Sequence, residues 1–145
     1  MAGTCGLVLN RPTPIKLRDT NYPQFYRAFG GNSLMLGAGV PSGGPDSKVT
    51  YGDMAPWYWL HDIEGVKDAV PLKAAEGALF LGGDMDELTD RVILDGKDPL
   101  RVKFFWKAKI WMGFDLIREL ADDVWEMAPQ DASDALEPFS FGPDL

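Results

Sequence analysis

The chain is 145 residues long, 46% hydrophobic, and carries a formal net charge of −8. That length suits one globular core burying roughly two-thirds of the unfolded surface, and no apolar run reaches the ~18 residues needed to cross a bilayer. The acidic balance argues against general nucleic-acid binding, which needs a cationic surface to displace counterions, and a single cysteine, Cys5, excludes internal disulfides.

Taken in order, the chain is apolar almost from its first residues. Gly3 to Asn10 reads as a strand closed by Pro12 and Pro14, and it arrives without a lead-in. The expectation is a missing natural start or a strand edge that something else covers. Residues 15–50 lack helical periodicity. Gly30, Gly31, Gly37, Gly39, Gly43 and Gly44 cut them into short extended pieces, with Leu34–Leu36 and Val40 as one candidate strand. Tyr22, Phe25, Tyr26 and Phe29 form an aromatic turn with Pro23 in its first turn, expected to close the core beneath a long loop.

Trp57 to Leu60, Val66 to Val70 and Ala78 to Leu81 read as three short strands. Asp84 then caps a helix, with Glu87 at capping-box spacing, an inner stripe of Met85, Leu88, Val92 and Ile93, and Gly96 at the left-handed C-terminal position. The strongest pattern follows. Val102, Phe104, Trp106, Ala108 and Ile110 alternate with Arg101, Lys103, Phe105, Lys107 and Lys109, predicting one strand over 101–111 with an apolar face and a mostly cationic one. Beyond Gly113 the period becomes helical: Leu116, Ile117, Leu120, Ala121 and Val124 predict an amphipathic helix from Phe114 to Met127, stopped by Pro129. Past Gln130 the composition turns acidic, with Ser, Pro and Gly between isolated apolar residues, so a domain over 1–129 and a poorly anchored tail over 130–145 are expected. Phe139 and Phe141 are its candidate partner anchors.

Reactive groups are sparse. His61 is the sole histidine. A Cys5–His61 nucleophile–base pair is conceivable in composition, but Cys5 lies in an apolar strand without a nucleophile turn. Asp84, Asp86, Glu87 and Asp90 crowd one helix start, yet lack the glycine bend and alternating ligands of a calcium loop. The glycine pairs match no phosphate-loop spacing. The expectation is a non-enzyme with no cofactor and no metal site.

Several segments, in order, resemble the YqgE/AlgH family. Gly6 to Thr13 is similar to its glycine–hydrophobic–Asn-Arg-Pro segment, Gly43-Gly44-Pro45 to its GGP turn, and Leu60-His61 to its LH pair. Phe104, Phe105, Trp111, Leu116, Glu119, Trp125 and Ala128 fall without gaps on the segment that plant-type members carry. The likeness covers roughly residues 3–128. It implies an α/β (α+β) fold, a branched mixed β-sheet closed into a pseudo-barrel with helices packed outside. Where the family has glycines this chain has Lys107 and Ile110, and Ala108 replaces its tyrosine. Such replacements predict a bend converted to regular strand. The family's usual first helix and strand are not matched, and the resemblance implies no enzymatic activity.

These readings converge on a non-catalytic accessory subunit that docks on a larger assembly. Arg101, Lys103, Lys107, Lys109, Phe139 and Phe141 are its expected partner-binding residues. The plant-type likeness points to the chloroplast stroma and to a protein partner such as a photosynthetic membrane-complex subunit, with the cytoplasm as the alternative compartment. A transcriptional regulator, by family association in bacteria, is the alternative function, although the outer helical faces are acidic.

Overall fold

The computed structural model describes residues 4–36, 57–106 and 108–137. Its centre is a six-stranded mixed sheet built from β2 (Pro12–Lys16), β3 (Ser33–Leu36), β4 (Trp57–His61), β5 (Val70–Leu72), β6 (Leu79–Leu81) and β7 (Lys103–Trp106). The spatial order is β2-β3-β7-β4-β6-β5, with β3 and β7 parallel and the other pairs antiparallel. This sheet has two free edges, so among the described residues it is an open mixed α+β sheet rather than a closed pseudo-barrel. Both edges carry proline, Pro12 and Pro14 in β2 and Pro71 in β5, where a missing backbone donor costs no ladder bond. Pro12 and Pro14, expected to end a strand, therefore lie inside one.

The continuous strand expected over 101–111 is two strands. β7 ends at Trp106, and β8 (Lys109–Trp111) pairs with β1 (Thr4–Gly6) in a separate antiparallel ribbon, in register Thr4↔Trp111 and Gly6↔Lys109. β7 lies between β3 and β4 with all four residues buried, so its alternation does not separate a wet face from a dry one. It separates two dry faces.

On the first face, Leu34, Trp57, Phe104 and Trp106 pack against Leu17, Phe25, Phe29 and Leu88. The aromatic turn closes this face as its sequence predicts, through a single-turn 3-10 helix over Pro23–Phe25 and α1 (Tyr26–Phe29). Phe25 meets Trp57 edge-on at 5.0 Å and Phe104 at 5.0 Å, a geometry aromatic quadrupoles favour. On the second face, Met35, Leu60, Leu79 and Phe105 pack under Ala132, Ala135 and Leu136, with Leu7 and Leu9 alongside. The covering helix α4 (Ala132–Ala135) lies in the stretch expected to be a loose tail. Ala132, Ala135 and the larger Leu136 reach the core there, which outweighs the acidic composition around them. The remainder of that stretch, with Phe139 and Phe141, lies outside the described residues.

α2 spans Met85–Asp95 as predicted. Asp84 accepts from the backbone N–H groups of Asp86 and Glu87, and Gly96 adopts φ 72° at the far end. The capping box is not reciprocal, because the Glu87 carboxylate accepts from the Lys67 N–H instead. Within the inner stripe Leu88 is buried, whereas Ile93 is exposed and Thr89 takes the buried position beside Leu88. The strand expected over Val66–Val70 starts only at Val70, since Val66 to Ala69 form turns that place Val66 in the core.

Candidate functional site

His61, the strongest chemical candidate, is fully buried in β4. Its Nε2 lies 2.7 Å from the Gly82 carbonyl, and its Nδ1 lies 3.1 Å from the Ile63 backbone nitrogen. An N–H must donate to that carbonyl and a lone pair must accept from that N–H, so the ring is the neutral Nε2–H tautomer with both nitrogens committed to backbone. Desolvation holds its pKa below the ordinary value, against smaller opposing pulls from Gly82 and Asp62. The receiving turn depends on Gly82 and Gly83, at φ 76° and 111°. A Cβ on Gly83 would meet Val66 at 2.8 Å, and the Gly83 carbonyl accepts from the Trp59 indole at 3.2 Å. Cys5 belongs to the ribbon and His61 to the six-stranded sheet, so the two stand in different sheets.

The cationic row dissolves on folding. Lys103 is 4% exposed, and its ammonium donates to the Leu9 carbonyl at 2.7 Å and the Ala135 carbonyl at 3.1 Å. Burial pushes its pKa down to about 8, partly opposed by Glu137. Arg101 ends a short turn over Pro99–Arg101 and pairs with Asp62 at 2.8 Å. Lys107 lies outside the described residues, and Lys109 is placed only as backbone in β8. The row expected on one solvated strand face is thus one core clamp, one ion pair and one ribbon position.

A cleft of about 320 Å³ between Asp62, Glu64, Arg91, Lys97, Asp98 and Arg101 mixes both signs of charge. Arg101 in it is paired with Asp62, and Arg91 with Asp95 at 2.8 Å. An apolar cavity of about 260 Å³ lies among Leu7, Leu9, Tyr58, Leu60, Leu81 and Ala135. Among the described residues, no three His, Cys, Asp or Glu side chains converge on a metal-binding geometry, and no helix is long and apolar enough to cross a membrane.

The feature that stands apart is the surface beyond the ribbon. α3 covers Asp115–Ala121, half the predicted length, and none of its residues is buried. Its end is a Schellman turn: Val124 N–H donates to Glu119 C=O at 2.9 Å, Asp123 N–H donates to Leu120 C=O at 3.2 Å, and Asp123 sits at φ 59°. The helix therefore stops six residues before the expected Met127, by backbone geometry rather than by Pro129. The chain then turns back so that Trp125 meets Trp111 edge-on at 5.7 Å. Glu119 accepts from both indoles, at 2.7 Å from Trp125 and 3.3 Å from Trp111. Gly6 makes room for the Trp111 ring, since a Cβ there would meet it at 2.9 Å. Ribbon, α3 and the return segment are thereby tied together by Glu119 and two indoles.

The outside of this unit mixes large apolar side chains with the exposed Arg118, Asp122, Asp123 and Glu126. Met112, Phe114, Ile117, Val124, Trp125 and Met127 are between 45% and 82% exposed. Six large hydrophobic residues outside within sixteen positions exceed the scattered exposure that ordinary surfaces show. Of the stripe read from the sequence, Ile117, Ala121 and Val124 are exposed and Leu116 and Leu120 half-buried, because a stripe does not say what packs on it.

Comparison with known proteins places this geometry. A family profile described as DUF179, AlgH-like, matches residues 1–140. A UPF0301 protein of Bacteroides thetaiotaomicron is 23% identical over 129 residues, covering 89% of this chain and 57% of the relative. One of Bacteroides fragilis is 22% identical over the same span and share. The chain thus spans little more than half the length of these relatives. The solution structure of the AlgH protein from Pseudomonas aeruginosa matches with a TM-score of 0.57 at 20% identity, over 94% of this chain and 66% of that one, a likeness of fold.

Proposed function

Because the chain belongs to the AlgH-like family across residues 1–140, we propose that it acts as a non-catalytic accessory subunit, docking on a larger assembly through its 112–127 surface. The observation that carries this reading is the exposed apolar set Met112, Phe114, Ile117, Val124, Trp125 and Met127 on a unit anchored by Glu119. Leaving such a patch in water is unfavourable by about 25 cal/mol per Å², and a docked partner recovers that energy. Support also comes from His61, whose ring nitrogens both serve the backbone and leave no lone pair for proton transfer. The proposed setting is the chloroplast stroma, at the stromal face of a photosynthetic membrane complex, resting on the plant-type likeness of residues 104–128. A closed pseudo-barrel belongs to the same proposal. The regulatory alternative gains nothing from the acidic outer face of α3, which would repel phosphates.

The test is native size in the parent cell. Phe114→Ser, Ile117→Ser and Met127→Ser together change exposed side chains and should leave the melting temperature nearly unchanged. Wild type is expected to run within a large assembly and the triple variant as a free chain. Identical migration of the two would end the proposal.

A further inference from the structure

We propose that the occupant of the 112–127 surface is a positively charged amphipathic helix of a partner protein; this rests on the docking reading above and specifies what docks. The outward residues fix the shape. Ile117 and Ala121 on α3 stand three and seven positions beyond Phe114 at its N-cap, all three exposed, forming one ridge along the helix. Val124 and Trp125 are exposed beyond the turn that ends α3, with Trp125 bonded to Glu119, which stands on the helix face opposite the ridge. A ridge at helical spacing is complementary to the groove between side-chain rows of a second helix. An extended strand would instead need a free backbone ladder, which a helix does not offer.

The charges fix the sign. Asp115, Glu119, Asp122, Asp123 and Glu126 share this stretch with a single cation, Arg118. Arg118 is spent on Asp115 at 3.6 Å, and Glu119 on the two indoles. Asp122, Asp123 and Glu126 are exposed and have no ion-pair partner among the described residues. An apolar ridge flanked by unpaired carboxylates attracts lysine and arginine beside a partner's apolar stripe. It disfavours a second copy of itself, because a two-fold contact would set these carboxylates against their own images. It disfavours an acidic partner for the same reason.

The probe is a pair of synthetic 18-residue peptides, both with leucine at helical spacing, one flanked by lysines and the other by glutamates. Titrated into the intact chain by calorimetry and by amide chemical shifts, the lysine peptide should bind at least ~10-fold tighter at low ionic strength, with shifts confined to residues 112–127. The preference should shrink as salt shortens the screening length to about 3 Å near 1 M. Asp122→Lys with Glu126→Lys should invert the preference, and Phe114→Ser with Ile117→Ser should abolish binding of both peptides. Equal affinity for the two peptides, or shifts elsewhere on the chain, overturns the proposal. So does a dimer in sedimentation that Ile117→Ser dissolves, which would make a second copy the occupant. In the parent cell the two readings separate. An assembly lost in the apolar variant but intact after charge reversal keeps docking and removes the cationic helix, whereas an assembly intact in both removes docking itself.

Discussion

His61 shows how a residue that invites a catalytic reading is turned into scaffold. Both ring nitrogens meet backbone groups inside the protein, and burial disfavours the imidazolium. Because it is the sole histidine, its ring resonances in a pH titration are unambiguous. They should report the Nε2–H tautomer and a midpoint below the ordinary 6.5. The sign for stability follows: below pH 6.5 the unfolded chain binds a proton that the folded chain refuses, so this group makes stability fall as the solution is acidified. A midpoint at or above 6.5 would contradict the burial argument. The Ile63 partner is local, but nothing in the nearby sequence announced the Gly82 carbonyl, which lies 21 residues away in the chain.

At the scale of elements, helix ends were legible where capping chemistry was standard and illegible where it was not. Asp84 and Gly96 bracket α2 because aspartate accepts from free N–H groups and glycine tolerates the left-handed turn. α3 ends at the same kind of turn with Asp123 in the left-handed position, where glycine is usual. Replacing Asp123→Gly should relieve that strain by about 1 kcal/mol and raise the melting temperature by a few degrees. Calorimetry decides it, and a lowered melting temperature would show that the Asp123 side chain stabilises the turn. β7 and β8 make the complementary point. Their shared alternation was correct residue by residue, but period two cannot report that the chain leaves one sheet for another between Trp106 and Lys109.

For the whole molecule, Lys103 joins three parts of the chain: it rises from β7 and holds the carbonyl of Leu9 from one end and that of Ala135 from the other. With the ammonium pushed down to about 8 from 10.5, the unfolded chain carries a proton between those values that the folded chain has released. Stability should therefore rise with pH across that window, by as much as ~3 kcal/mol. Denaturant midpoints of wild type should climb from pH 8 to 10, and Lys103→Met should flatten the climb; a parallel climb in both would refute the assignment. The amino-acid sequence alone determined the family resemblance, the mixed α+β class, the capped α2 and the aromatic closure of one sheet face, because each rests on residues close in the chain. The three-dimensional fold alone decided that a row of cations becomes a core clamp and an ion pair, and that an acidic stretch helps seal the second face. It also decided that Phe114, Ile117 and Val124 stay uncovered. Burial is a property of neighbours brought together from distant positions, and no local pattern records which neighbours arrive.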